Sequence, residues 1–128
     1  MPASENPQVS PEELRNRART VMADLAREGN TKELADFLDH GLDVNSLDES
    51  GNSLLMLAAY HGRGETVSYL LAHGADPDIC NARDQSPIAG ALFKGETEIV
   101  AALKKAGANL DAGTPSAREA AKMFGQTL

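Results

Sequence analysis

The chain has 128 residues, of which 41% are hydrophobic and 24% charged, a composition typical of one soluble globular domain. Its net charge of -7 argues against nucleic acid as the main partner, because phosphate binding depends on clustered Lys and Arg. The opening residues lack the pattern of a secretory signal, and no apolar run reaches membrane-spanning length. One cysteine, Cys80, suits a reducing compartment. We therefore expect a cytoplasmic protein without a membrane segment.

The first predicted element is a helix that begins after Ser10. Ser10 is suited to the N-cap, Pro11 to the first helical position and Glu13 to the third. Apolar residues then continue at helical spacing: Leu14, Ala18, Val21, Met22 and Leu25. We favour a capping role for this helix over a docking role, because the terminal unit of a stacked fold has an apolar edge to cover.

From the end of this helix onward, a period of 33 residues organises the chain. Glycines and turn-forming residues repeat at this spacing: Gly29, Gly62 and Gly95; Gly41, Gly74 and Gly107; Asp43, Asp76 and Asn109. Apolar columns follow them: Leu34, Val67 and Val100; Phe37, Leu70 and Leu103. Each period predicts a short helix, a glycine turn, a second helix and a polar loop. The predicted helices span residues 54–60, 65–72, 88–93 and 98–105.

These segments resemble the ankyrin repeat family. Residues 52–59 (NSLLMLAA) and 85–92 (QSPIAGAL) are similar to its T-P-L-H-x-A signature, and residues 73–78 (HGADPD) to its G-A-D-V-N ending. The resemblance implies an all-α ankyrin-repeat solenoid of helix-turn-helix units with short loop or β-hairpin fingers. It divides the chain into a disordered tail at 1–9 and one domain at 10–128. The domain has an N-cap unit with an extended first helix (10–46), repeats at 47–79 and 80–112, and a C-cap unit (113–128).

Three departures from the family pattern predict a modest stability. Met56 and Ala89 replace the signature histidine, and Asp84 stands where the preceding repeat has Gly51. We expect these changes to weaken local hydrogen bonding or turn geometry.

The residues that suggest catalytic or metal-binding motifs are better explained by their positions in the 33-residue repeat. Gly62-Arg63-Gly64 lacks the Gly-Lys-Ser/Thr ending of a phosphate loop, and Gly64 is interpreted as a helix cap. The loop after Asp43 lacks the calcium-loop pattern. His40 and His73 are interpreted as half-exposed side chains at helix C-termini, where positive charge is favoured. We therefore predict no enzyme, no metal site and no cofactor.

The family resemblance implies a concave surface that binds a partner protein. Its residues precede the inter-helix glycines or lie in the adjoining loops: Tyr60, His61, Phe93, Lys94, Asn52, Gln85, Glu49, Ser50, Arg83, Met123 and Phe124. Aromatic and methionine side chains in this row are typical of interface anchors. We expect Tyr60 to be the most surely exposed aromatic, whereas Phe93 and Phe124 either face solvent or pack between the helices.

The predicted function is a non-catalytic interaction module, monomeric by itself, that inhibits, chaperones or tethers an enzyme. Acidic loop residues Asp48, Glu49 and Asp84 would favour a partner with a basic patch. The alternative is a carrier of haem or another cofactor, with Tyr60 or His61 as axial ligand.

Overall fold

The computed structural model describes residues 10–128, so the predicted tail at 1–9 lies outside the described residues. Within that range the chain is all-α, as predicted, apart from an isolated antiparallel bridge between Leu47 and Ser53. The helices are α1 (Pro11–Glu28), α2 (Thr31–Asp39), α3 (Leu54–Tyr60), α4 (Gly64–Ala72), α5 (Pro87–Lys94), α6 (Thr97–Lys105) and α7 (Ala117–Met123).

Serine side chains start the inner helices. Ser10, Ser53, Ser86 and Ser116 each accept a hydrogen bond from the backbone N–H three residues later, which satisfies one of the free donors at a helix start. The outer helices α4 and α6 begin one residue earlier than predicted. Arg63, not Gly64, is the N-cap of α4, so the interpretation of Gly64 as a cap was wrong.

The helices form two layers around one core. Helices α1, α3, α5 and α7 pack side by side in an inner row, and α2, α4 and α6 pack behind them. A single apolar cluster runs through both layers, and its largest fully buried members include Met22, Leu34, Leu55, Leu70, Ile88 and Leu103. The periodic apolar columns of the sequence supply this core, because their spacing keeps the same helix face turned inward in each unit.

Helix α1 has 18 residues, whereas α3 and α5 have 7 and 8. Its C-terminal half buries Met22 and Leu25 against the core, which is the contact that capping requires. Leu14 and Val21 remain 54% and 44% exposed. One face of the C-terminal half of α1 therefore makes the contacts expected of a cap, while Leu14 and Val21 lie on exposed parts of the helix. The choice between a capping and a docking role stays a prediction.

Three loops project beside the inner helices: finger 1 (47–53), finger 2 (80–86) and finger 3 (112–116). The turns of fingers 1 and 2 are closed by the N–H groups of Gly51 and Asp84, which donate to the carbonyls of Asp48 and Asn81. Neighbouring fingers are joined as well. Ala82 N–H donates to the Ser50 carbonyl over 2.9 Å, and Thr114 N–H to the Asp84 carbonyl over 2.8 Å. The fingers thus form a hydrogen-bonded ladder.

Asp84 adopts a φ of 59°, close to the 77° of Gly51 at the same position in finger 1. This left-handed backbone disfavours residues other than glycine, although Asp tolerates it better than most. The turn that we expected to be weakened is nevertheless formed, with its closing hydrogen bond of 2.9 Å.

Candidate partner-binding surface

The ends of the inner helices and the fingers enclose an open groove of about 600 Å³. Most of the predicted contact residues line it together: Glu49, Ser50, Asn52, Tyr60, His61, Arg83 and Gln85. The groove also contains Arg27 and Asp48. Phe93, Lys94, Met123 and Phe124 lie outside its lining, at the C-terminal side of the same row of helix ends.

Aromatic contacts connect the groove to that C-terminal side. The Tyr60 and Phe93 rings are nearly parallel, with centroids 6.4 Å apart, and the Phe124 ring meets Phe93 edge-on at 5.4 Å. Phe93 is 59% exposed, Met123 66% and Phe124 38%. Of the two arrangements left open by the sequence, the structure therefore has Phe93 and Phe124 facing solvent.

Tyr60 is partly buried, whereas Phe93 and Phe124 are exposed, so the expectation that Tyr60 is the most surely exposed aromatic was wrong. Its ring lies against Gly90 of the next inner helix, where an added Cβ would be 3.5 Å from Tyr60 Cδ1. In α7, the position equivalent to Gly90 is Ala120, as counted from the capping serines. The absence of a side chain at Gly90 lets the Tyr60 ring lie against α5, whereas the equivalent position of α7 carries a methyl group.

The N-terminal end of the groove is held by the carboxylate of Asp48. It accepts hydrogen bonds from the N–H groups of Ser50 and Asn52, both at 2.9 Å, and from the Asn52 side-chain amide at 3.1 Å. It also forms an ion pair with Arg27 at 3.3 Å. The Asp48 side chain is only 12% exposed, and its ion pair with Arg27 holds finger 1 against α1.

Asn81 has the equivalent position in finger 2. Its side-chain oxygen accepts from the N–H groups of Arg83 and Gln85, each at 3.0 Å. Its side-chain amide donates to Asn52 Oδ1 over 2.8 Å. This last bond joins the side-chain networks of the two fingers, a link that the 33-residue spacing of Asp48 and Asn81 could have suggested.

The acidic residues of the fingers are not equally available to a partner. Asp48 is engaged as described, and Asp84 Oδ2 accepts a hydrogen bond from the Thr114 hydroxyl over 2.7 Å. Glu49 is exposed. Asp84 is exposed as well and keeps its charge, so the prediction that acidic finger residues attract a basic partner now depends on Glu49 and Asp84.

Cations surround the exposed side of Tyr60 and His61. Lys94 Nζ lies 5.0 Å from the centre of the Tyr60 ring, within the range of a cation–π contact. The pKa of His61 is lowered, first by partial burial and then by the positive charges of Arg27, Arg63 and Lys94. His61 is thus biased toward its neutral form, in which it both donates and accepts hydrogen bonds.

Among residues 10–128, no group of three or more His, Cys, Asp and Glu side chains could hold a metal ion. His40 and His73 donate through Nδ1 to the carbonyls of Asp36 and Tyr69 at the ends of the outer helices. Tyr60 is packed among His61, Phe93 and Lys94, and no observation favours a haem there. None of the described helices combines the length and apolar character needed to cross a membrane.

Comparison with known proteins adds two findings. The sequence pattern of ankyrin repeats, in three copies, matches residues 22–114. A protein of Pseudomonas aeruginosa named as an ankyrin repeat protein, PA3287, is 52% identical over 44 residues. That match covers 34% of this chain and 26% of the relative, so the chain spans well under two thirds of the relative's length.

Proposed function

This chain belongs to the ankyrin repeat family, and we propose that it is a non-catalytic module that binds a partner protein through its concave surface. Ankyrin repeats are generally protein–protein interaction modules. The proposed surface consists of the groove between the fingers and inner helices, together with Phe93, Lys94, Met123 and Phe124.

The observation that carries this proposal is the exposed apolar cluster at the C-terminal side of the surface. The Phe93 and Phe124 rings are in contact, Met123 directly precedes Phe124, and Phe93 and Met123 are each more than half exposed. Leaving large apolar side chains in water forgoes about 1.5–3 kcal/mol for each one that could be buried. Contiguous aromatic and methionine side chains with a polar margin are the composition of an interface anchor.

The rest of the surface supplies polar contacts that are already held in place. Asp48 and Asn81 fix the fingers by hydrogen bonds, so little conformational entropy remains to be lost there on binding. A suitable partner has an apolar projection for the exposed cluster and hydrogen-bonding groups for the finger tips. Glu49 and the net charge of -7 would steer a basic partner toward the surface more than they would set its affinity.

The test uses affinity capture from a lysate, identification of the bound proteins by mass spectrometry and calorimetry with each purified candidate. The double variant Phe93→Ala, Met123→Ala should weaken binding by at least about tenfold, a loss of about 1.4 kcal/mol. The matched control is Leu14→Ala, Val21→Ala, which removes two exposed apolar side chains from α1. It should leave the affinity within about twofold.

In urea denaturation, both double variants should have a free energy of unfolding within about 1 kcal/mol of that of the unaltered protein, since the replaced side chains are substantially exposed. A partner that binds the Phe93, Met123 variant with unchanged affinity would show that another face is used. Assaying the identified partner's activity and solubility with and without this chain then distinguishes an inhibitor, a chaperone and a tether. A cytoplasmic location and a monomeric state remain part of the proposal.

A further inference from the structure

The N-terminal edge of the finger ladder carries an unused backbone donor. Glu49 is the second residue of the turn Asp48–Gly51, and its N–H has no hydrogen-bond acceptor among residues 10–128. It lies in an exposed residue, so water satisfies it in the free protein. Such open edges are places where another segment of main chain can add itself.

The molecule contains an occupied copy of this position. Ala82 is the second residue of the equivalent turn in finger 2, and its N–H donates to the Ser50 carbonyl over 2.9 Å. Gly51, the residue after that carbonyl, lies directly against finger 2, because an added Cβ would be 3.0 Å from Ala82 N. The junction between fingers 1 and 2 therefore shows what this N–H position accepts: a carbonyl followed at once by glycine in a turn. At the next junction the donor, Thr114, lies at a different position of its finger, and its acceptor carbonyl is followed by Gln85.

No finger precedes finger 1 in the described residues, because the chain one period earlier belongs to α1. An open groove of about 570 Å³ lies between α1 and finger 1. Its α1 wall includes Asn16, Arg19, Thr20, Ala23 and Asp24, and its finger wall is residues 47–50. Arg27 and Asp48 line both this groove and the concave groove, so the two are adjacent.

We propose that this groove binds a glycine-containing turn of the partner protein, stacked on finger 1 as finger 1 is stacked on finger 2. The carbonyl before the partner's glycine accepts a hydrogen bond from Glu49 N–H. The proposal rests on the proposed function, since it extends the same partner-binding surface onto α1. It assigns the extended first helix a second role besides capping.

The side chains that line the groove indicate which residues of the partner would fit on either side of this turn. Arg19 forms no ion pair within residues 10–128 and donates to the neutral side-chain oxygen of Asn16, whereas Arg27 is paired with Asp24 and Asp48. The charge of Arg19 is therefore not balanced by a described carboxylate, and an acidic side chain beside the turn would pair with it. Leu47 is 42% exposed in the same groove and would be covered by an apolar side chain of the partner.

The premise is tested by amide hydrogen exchange followed by NMR. Glu49 N–H should exchange at least about 100-fold faster than Ala82 N–H after correction for sequence effects, because only the latter is hydrogen-bonded. Equal protection of the two amides in the free chain would overturn the proposal.

Binding is tested with a phage-displayed library of random 12-residue peptides selected on the full chain. Glu49→Pro removes the N–H at a turn position that proline favours, so the turn is expected to persist. Glu49→Gln is the matched control, which removes the charge and keeps the donor. Urea unfolding of both variants checks that the fold is retained.

The expected result is a set of peptides with an internal Xaa-Gly pair that bind Glu49→Pro at least about tenfold more weakly and Glu49→Gln within about twofold. Their binding should shift the Glu49 amide resonance and fall with Arg19→Gln. Failure to select any such peptide, or equal weakening by both Glu49 variants, would overturn the proposal. Peptides that are lost with Phe93→Ala, Met123→Ala but unaffected by Glu49→Pro would leave the proposed function standing while overturning this inference.

Discussion

The two ends of the concave surface differ in how their side chains are used. At the N-terminal end, the carboxylate of Asp48 and the amide of Asn81 make hydrogen bonds within the protein. At the C-terminal end, Phe93 and Met123 are 59% and 66% exposed. The difference teaches that one row of helix ends and loops can combine a polar part whose hydrogen bonds are made within the protein with an apolar part that stays exposed, which is the part that the proposed partner would bury.

The largest effect on stability is expected at the polar end. Asp48→Ala should lower the free energy of unfolding by about 2–3 kcal/mol, because it removes a charged acceptor from two backbone N–H groups and from Arg27. Urea denaturation measures this loss. The neighbouring Glu49→Ala is the control and should stay within about 0.5 kcal/mol, since Glu49 is exposed.

The counterpart at the apolar end is Phe93→Ala. It should lower the free energy of unfolding by less than about 1 kcal/mol, because it removes only the contacts of the Phe93 ring with Tyr60 and Phe124. If Phe93→Ala destabilised the fold as much as Asp48→Ala does, the division of the surface into a structural and a binding part would fail.

A smaller effect is expected where the two fingers are joined. Asn81→Asp keeps the oxygen that accepts from the finger 2 backbone but replaces the amide that donates to Asn52 Oδ1 with a second oxygen. Two acceptors then face each other, at a cost of about 1–1.5 kcal/mol in unfolding free energy. Arg83→Ala, at an exposed position in the same finger, is the control. A loss with Arg83→Ala equal to that with Asn81→Asp would contradict the assigned link.

The smallest effect concerns pH and His61, whose folded pKa lies below the ordinary 6.5 because of burial and neighbouring cations. Between these two values the unfolded chain binds more protons, so His61 contributes stability above about pH 6.5 that is lost as pH falls through the folded pKa. His61→Gln should therefore lose less stability than the unaltered protein between pH 7.5 and pH 5. An NMR titration giving His61 a pKa above 6.5 would contradict the sign.

Much of the fold could be predicted because it depends on spacing. The glycine and apolar columns repeat every 33 residues, and the helices begin within a residue of where those columns place them. The membership of the concave row also follows from register. Exposure within the row does not: Tyr60 and Phe93 are one period apart, yet Tyr60 lies in the space left by Gly90 on the next helix.

The same limit applies to charge. Asp48, Glu49 and Asp84 look alike as acidic loop residues, but Asp48 is bonded to finger backbone and to Arg27, which is 21 residues away. Whether a carboxylate is free depends on which donors the folded chain brings to it. Sequence register cannot supply that information for contacts between different units.

By itself, the sequence determined the repeat period, the helical units, the N-cap at Ser10 and the residues that share the row of inner-helix ends, since each depends on local propensity or fixed spacing. Only the tertiary structure decided which aromatics stay exposed, which carboxylate is held in an ion pair, and that Glu49, whose N–H has no acceptor among residues 10–128, lines a groove beside α1. These features depend on contacts between consecutive units, where a single missing Cβ or a donor from a distant helix changes what a side chain can reach.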